Sequence, residues 1–174
     1  SQSILQNHYN YILTYLNVNG KNDYFQAEID NRKLIDPMNG KYRKPKGLRE
    51  PIFNERYLFN NTPNVIFLVE GIYDALSVES VGGKAIALGG TGHRRFLDLV
   101  ERNQPETTFI ISVDNDEAGD RLRDNLQNGL QKLGVKVKVQ PVPVGKDFNE
   151  FLMNNPKGAA FYVRRTIGFC LEHR

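Results

Sequence analysis

The stretch Val65–Val69 (VIFLV), which is followed by Glu70 and Gly71, decides the fold of this chain. It is a continuous run of apolar and β-branched residues, and such a run is typical of a strand buried on both faces of a parallel sheet. Two further apolar runs follow it, Ala85–Leu88 (AIAL) and Thr108–Val113 (TFIISV). We therefore predict a sheet that contains these segments as buried strands.

Segments with helical spacing alternate with these strands. A further strand, Val135–Val139 (VKVKV), alternates apolar and basic residues, which indicates an edge strand with its lysines outward. The predicted helices are Asp74–Val81, Arg94–Arg102, Asp120–Leu133, Asp147–Asn154 and Gly158–Leu171. This alternation predicts an α/β fold with a Rossmann-like parallel sheet flanked by helices.

The residues before about position 64 have a different pattern. Apolar residues at helical spacing predict a helix over Ile4–Leu16, and weak alternation predicts a strand over Tyr24–Asp30. The segment Leu34–Pro51 is rich in proline, glycine and lysine and is predicted to be a loop, with short strands as an alternative within it. We therefore predict a small N-terminal α+β subdomain over residues 1–63 and an α/β domain over residues 64–174.

The composition excludes several classes of protein. The chain of 174 residues is 40% hydrophobic and 25% charged, which allows a buried core. No apolar run approaches the ~18 residues of a membrane span, and the polar N-terminus does not resemble a secretory signal. The single cysteine, Cys170, allows neither an intrachain disulfide nor a four-thiolate zinc site. We expect a cytoplasmic protein, and a first residue of Ser1 is compatible with a processed chain or a fragment.

A basic run precedes the predicted sheet. The net charge is only +3, but five cations lie within nine residues without an intervening acid: Lys41, Arg43, Lys44, Lys46 and Arg49. Such a run can neutralise several phosphates of a nucleic acid. A solvated loop is the alternative interpretation.

Acidic residues follow the predicted strands, at the edge where such sheets bind ligands. Glu70 follows the first strand, Asp114 and Asp116 follow the third, and Asp147 with Lys146 follows the last. These carboxylates would repel one another, and a divalent ion with a preference for oxygen ligands, Mg²⁺ or Mn²⁺, would relieve that repulsion. The alternative for the Asp114–Asp116 pair is a helix N-cap with an acid in the first turn.

A glycine-rich turn, Gly89–Gly92 (GGTG), lies between a predicted strand and a predicted helix. Its backbone N–H groups are placed to hold a phosphate at the helix N-terminus. A plain tight turn is the alternative interpretation.

Taken together, these segments resemble the Toprim domain, the metal-binding phosphoryl-transfer module of bacterial-type DNA primases, topoisomerases and some nucleases. The resemblance covers residues 64–155 and rests on EGIYDALS at 70–77, DNDEAG at 114–119 and GKDFNEFL at 145–152. The matched residues are Glu70, Gly71, Asp74, Asp114, Asp116, Gly119 and Asp147. The motif ALGGTG at 87–92 and the basic segment at 41–59 are similar to those of the primase branch.

The resemblance implies a DNA primase-like nucleotidyltransferase of a phage or mobile element, which makes short RNA primers on single-stranded DNA from NTPs. It implies that Glu70, Asp114 and Asp116 are catalytic and bind Mg²⁺ or Mn²⁺, and that Asp74 and Asp147 are further metal ligands. Nucleic-acid and nucleotide contacts would come from the basic run together with Lys84 and Lys146. A replicative helicase or a zinc-binding domain outside this chain would be a partner.

Two departures from the primase pattern keep other functions open. Asn149 stands where a second acid is common after Asp147, and a single cysteine cannot build the zinc-binding domain of such primases. The alternatives are a Toprim nuclease, in which water replaces the attacking hydroxyl, and a module that binds nucleic acid or nucleotide without catalysis.

Overall fold

The structure is a computed structural model. It describes residues 11–16, 21–28, 42–43, 52–59, 62–89 and 92–173. Contacts divide the chain into two compact units, Ser1–Pro51 and Ile52–Arg174.

The first unit contains a three-stranded antiparallel sheet. Its strands are β1 (Tyr11–Leu16), β2 (Asn22–Glu28) and β3 (Tyr42–Arg43), in the order β1-β2-β3. The prediction of a helix up to Leu16 is wrong over β1, because the aromatic and β-branched residues of YILTYL pair with β2 across the sheet. Residues 4–10 of that predicted helix lie outside the described residues.

The second unit contains a four-stranded parallel sheet in the order β5-β4-β6-β7. Its strands are β4 (Val65–Val69), β5 (Ala85–Ala87), β6 (Thr108–Ile111) and β7 (Lys136–Val139). Its helices are α1 (Ile72–Ser80), α2 (His93–Asn103), α3 (Glu117–Lys132), α4 (Phe148–Asn154) and α5 (Pro156–Glu172). The predicted α/β class is therefore confirmed, and β7 is an edge strand as expected.

The core lies between this sheet and its helices. Every residue of β4 is buried, so that alternate side chains meet apolar partners on both faces. One face packs against α2 and α3 through a cluster that includes Leu68, Phe96 and Leu126, and α1 contacts β4 and β5. None of the helices in the described part of the chain is long and apolar enough to cross a membrane.

The segment from Ile52 to Phe59 belongs to the sheet unit. It contains a 3-10 helix, Glu55–Leu58, whose Leu58 is buried in the same core cluster. Arg95 on α2 pairs with Glu55 at 2.8 Å, and Phe53 forms a bridge with Ala87 of β5. Contacts thus separate the two units between residues 51 and 52, twelve residues before the division at 63/64 that the sequence predicts. The division into domains at 63/64 stays a prediction.

Candidate active site

The parallel pairing of β4 and β6 places the residues that follow them side by side. The backbone N–H of Asp114 donates a hydrogen bond to Glu70 Oε1 at 3.3 Å. The structure therefore brings together two of the predicted site residues, Glu70 and Asp114, at the carboxyl edge of the sheet.

Gly119 lets the first turn of α3 lie directly against these residues. A Cβ atom at this position would lie 2.0 Å from the Asp114 carbonyl oxygen and 3.1 Å from Glu70 Oε1. Any side chain at position 119 would therefore push α3 away from the two carboxylates. The glycine of the DNDEAG motif has a packing role that the structure makes explicit.

Asp116 has two functions, one for each carboxylate oxygen. It is the N-cap of α3, and its Oδ1 accepts a hydrogen bond from the Gly119 N–H at 2.9 Å. Its Oδ2 lies 3.4 Å from the ammonium of Lys146. The helix-cap interpretation is thus correct for one oxygen, while the other is left to interact with a cation.

Lys146 lies between the two aspartates. Its Nζ is 3.5 Å from Asp114 Oδ2, which makes it nearly equidistant from the two carboxylates. The Asp114 side chain is only 16% exposed, whereas that of Lys146 is 58% exposed. The ammonium therefore reaches a largely enclosed carboxylate from the solvent side.

Asp74 is buried on the first turn of α1, and backbone groups engage both of its oxygens. Oδ2 accepts from the Gly71 N–H at 3.2 Å, and Oδ1 accepts from the Asn149 N–H at 2.9 Å. Asp147 is the N-cap of α4, where its Oδ1 accepts from the Glu150 N–H at 2.8 Å. In this arrangement both acids hold helix ends, and Asp74 also joins α1 to α4.

Burial and mutual repulsion raise the pKa of several of these acids. Burial, followed by the charge of Asp114, raises the pKa of Glu70. Burial raises the pKa of Asp74 to about 6, against the hydrogen bond from Asn149, and the nearby charge of Asp147 adds to the rise. An excess of negative charge is thus gathered at this edge of the sheet.

Lys146 offsets part of this negative charge. Burial raises the pKa of Asp114, and the Lys146 ammonium opposes that rise. The pKa of Asp116 is lowered, first by the Gly119 N–H and then by Lys146. Hydrogen bonding to Asp116 and the charge of Asp114 raise the pKa of Lys146 itself. The aspartate pair therefore already favours a bound cation.

The donor set fits Mg²⁺ or Mn²⁺ in its chemistry, since Glu70, Asp114 and Asp116 all offer carboxylate oxygens. The side chains as they stand do not form a closed coordination shell. Within the described ranges, no group of three or more His, Cys, Asp or Glu side chains is arranged to hold a metal ion. The Lys146 ammonium faces the aspartate oxygens that such an ion would need.

Of the other predicted basic residues, Lys84 is described in the same unit as this site and lies away from it. Lys84 precedes β5, at the opposite edge of the sheet, and its ammonium lies 5.8 Å from the ring centroid of Tyr57. Arg43 lies in β3 of the other unit, without a described side chain. The remaining members of the basic run, Lys41, Lys44, Lys46 and Arg49, lie outside the described residues.

The glycine-rich turn begins next to Glu70. The Gly89 N–H donates to the Glu70 carbonyl oxygen at 2.9 Å, and Gly89 has a positive φ of 62°. The two central residues, Gly90 and Thr91, lie outside the described part of the chain. Phosphate binding by this turn stays a prediction.

Two asparagines contribute contacts that the sequence did not indicate. In the sequence, Asn149 stands out only because a second acid is common at its position. In the structure its backbone N–H donates to Asp74, and its side-chain Oδ1 accepts a hydrogen bond from Ser77 Oγ at 3.0 Å. Asn115 donates its side-chain amide to the carbonyl oxygens of Val142 at 3.0 Å and Gly145 at 2.8 Å. No sequence pattern links Asn115 to a loop thirty residues away, although its position between two aspartates marks it as part of the motif.

Comparison with known families identifies the domain that carries this site. Residues 67–152 match the family described as Toprim-like. The chain therefore contains a Toprim-like domain, which confirms the resemblance found in its motifs. Toprim domains generally bind divalent metal ions.

Known proteins similar to this chain include DNA primases and an uncharacterized protein of Mycoplasma pneumoniae, which is 31% identical over 140 residues, 78% of this chain and 63% of that protein. A DNA primase of Clostridium acetobutylicum is 27% identical over 117 residues, which are 66% of this chain and 19% of that protein. The primase fragment of the bacteriophage T7 primase-helicase has a TM-score of 0.64 at 17% identity, over 87% of this chain and 60% of that one. The zinc-binding and RNA polymerase domains of the Aquifex aeolicus primase have a TM-score of 0.66 at 21% identity, over 90% and 39%.

The chain thus spans about a fifth of the curated primase that it matches. At these identities the solved structures establish the fold, which is that of primase catalytic cores. A Toprim-like domain of this kind supports a primase-like role.

Proposed function

We propose that this chain is the catalytic core of a primase-like nucleotidyltransferase that makes short RNA primers on single-stranded DNA from NTPs. The observation that carries the proposal is the group of Glu70, Asp114 and Asp116 at the carboxyl edge of a Toprim-like sheet. The similarity to DNA primases supports the choice of reaction.

Asp114 and Asp116 would hold Mg²⁺ or Mn²⁺ through the oxygens that now face Lys146, and Glu70 would complete the site. Asp147, as the helix cap beside them, and Asp74 would act as further ligands, directly or through water. A bound divalent ion supplies electrostatic stabilisation of the triphosphate, of the attacking 3′-hydroxyl and of the leaving pyrophosphate. Glu70, whose pKa is raised by burial and by Asp114, would accept the proton of that hydroxyl.

The partners follow from the same proposal. The basic run Lys41–Arg49 and Lys146 would contact template or triphosphate, and Lys84 would contact nucleic acid away from the carboxylates. A zinc-binding domain and a replicative helicase would act from outside this chain, as the names of the Aquifex and T7 proteins suggest. A cytoplasmic location and an origin in a phage or mobile element belong to this proposal as well.

A second candidate is a module that binds nucleotide or nucleic acid without catalysis. The observation that favours it is that Asn149 hydrogen-bonds to Asp74 and Ser77 and has no carboxylate to offer a metal ion. A Toprim nuclease would use the same acids but would shorten its substrate.

A template-directed extension assay separates these functions. Wild-type chain, single-stranded DNA and labelled NTPs are combined with Mg²⁺ or Mn²⁺, beside the double variant Asp114→Asn/Asp116→Asn. A matched control, Asp98→Asn/Glu101→Gln, removes two exposed charges from α2.

We expect short products from the wild type and the control and none from the aspartate variant. Shortened template that disappears in the same variant would indicate a nuclease. Extension at the wild-type rate by the aspartate variant would contradict the assignment of the site. Metal-dependent retention of template or NTP without product would favour the binding module.

A further inference from the structure

The Lys146 ammonium faces the two aspartate oxygens that the proposed function assigns to a metal ion. It lies within 3.5 Å of one oxygen from each of Asp114 and Asp116, and these are the oxygens not used by the cap of α3. A cation cannot approach both oxygens while the ammonium remains between them.

We infer that Lys146 is a built-in counter-ion of the aspartate pair, which a divalent metal displaces and which then binds the phosphates of the incoming nucleotide. The inference rests on the proposed function, since it assumes that the aspartates bind metal. It also gives the order of the binding steps: the metal ion binds first and releases Lys146, which then binds the substrate.

The backbone around Lys146 is held independently of its ammonium. The Asn115 N–H donates to the Lys146 carbonyl oxygen at 2.7 Å, and the Asn115 amide binds two more carbonyls of the same loop. The Lys146 N–H donates to Glu150 Oε2 at 2.6 Å. The loop therefore stays in place when the ammonium leaves the aspartates.

The motif Asp114-Asn115-Asp116 thus divides its work between alternate residues. The two acids contact the ammonium of Lys146, and the backbone N–H of Asn115 between them donates to the Lys146 carbonyl oxygen. A long, exposed side chain on a fixed backbone can move from the aspartates to a neighbouring phosphate without refolding of the loop. Asn115 is accordingly a positioning residue for Lys146.

This arrangement predicts opposite effects of one substitution on two ligands. Removing the ammonium with Lys146→Met should tighten metal binding, because the metal no longer competes with a resident cation. The same substitution should weaken nucleotide binding in the presence of metal, because a phosphate contact is lost. A lysine with only a structural role would weaken both or neither.

The test measures Mn²⁺ binding to the full 174-residue chain without nucleotide, from the electron paramagnetic resonance signal of free Mn²⁺. We expect Lys146→Met to bind Mn²⁺ about twofold to fivefold more tightly than wild type, a range typical of a partly exposed ion pair. Lys146→Arg, which keeps the charge, should bind like wild type. Lys132→Met, which removes an exposed lysine at the far end of α3, is the matched control and should also bind like wild type.

ATP binding is then measured by equilibrium dialysis at a fixed free Mn²⁺ concentration, where Lys146→Met should bind about threefold to tenfold more weakly. Circular dichroism and melting of each variant show whether it is folded. Equal or weaker Mn²⁺ binding by folded Lys146→Met would overturn the inference, as would unchanged ATP binding. If wild type binds Mn²⁺ and Asp114→Asn/Asp116→Asn does not, the proposed metal site stands even where the inference about Lys146 fails. Absence of Mn²⁺ binding by wild type would overturn both.

Discussion

Replacing Gly119 by alanine should disrupt the site and lower stability, although alanine is the better helix former. The added Cβ would lie 2.0 Å from the Asp114 carbonyl oxygen, whereas real Cβ contacts are essentially never shorter than 3.0 Å. The first turn of α3 must therefore move by about 1 Å or more away from a backbone atom that cannot yield as a side chain would.

That movement also breaks the cap of α3. The bond between Asp116 Oδ1 and the Gly119 N–H is 2.9 Å long, and a shift of this size takes it outside hydrogen-bonding range. Loss of the cap costs about 1 kcal/mol, and the remaining strain costs about 1–3 kcal/mol. Since the higher helix propensity of alanine offsets up to about 1 kcal/mol, we expect Gly119→Ala to lower the free energy of unfolding by about 1–3 kcal/mol.

Gly168 in α5 is the matched control, because a Cβ there meets no other atom within 4 Å. Gly168→Ala should raise the free energy of unfolding by about 0.5–1 kcal/mol through its higher helix propensity. Urea unfolding of both variants, followed by circular dichroism, measures the two changes. A Gly119→Ala protein as stable as wild type would refute the reasoning from close packing.

Three further predictions concern the carboxylates and the loop beside them. Asp74 has a pKa of about 6 in the folded protein against an ordinary 3.8, so its ionisation opposes folding. The stability associated with its protonated form is therefore lost as pH rises through about 6. The unfolding free energy of wild type relative to Asp74→Asn should therefore fall by up to ~3 kcal/mol between pH 4 and pH 7, and a constant difference in urea unfolding would contradict this. Asn115→Ala removes two hydrogen bonds to the carbonyls of Val142 and Gly145 and should lower the free energy of unfolding by about 1–3 kcal/mol. Amide hydrogen exchange should become faster at residues 142–147, and unchanged exchange there would refute the role of Asn115. Glu70→Gln keeps an acceptor for the Asp114 N–H but removes a partly buried charge, so without metal its melting temperature should equal or exceed that of wild type. The rise in melting temperature on adding Mn²⁺ should be smaller than in wild type, because a metal ligand is lost. An undiminished rise would exclude Glu70 from the metal site.

The sequence alone was sufficient for the parallel sheet. Val65–Val69 and the two apolar runs after it are too short for buried helices and too continuous for a half-exposed sheet, and β4, β5 and β6 confirm them. The first unit was harder to predict, because the six residues of β1 fit a helical as well as an extended pattern. Pairing with β2, which local spacing does not reveal, decides in favour of the strand.

The sequence also determined which acids meet, since parallel strands end at a common edge and their motifs name Glu70, Asp114 and Asp116. Only the tertiary structure decided how those acids are used. It places the Lys146 ammonium between the aspartates, engages both oxygens of Asp74 with backbone N–H groups and attaches Asn115 to a distant loop. The physical reason is that the alternation of strands and helices predicts parallel strands, and the residues that follow parallel strands share one edge of the sheet. Hydrogen bonds and ion pairs depend on differences of an ångström between segments far apart in the chain, which only packing determines.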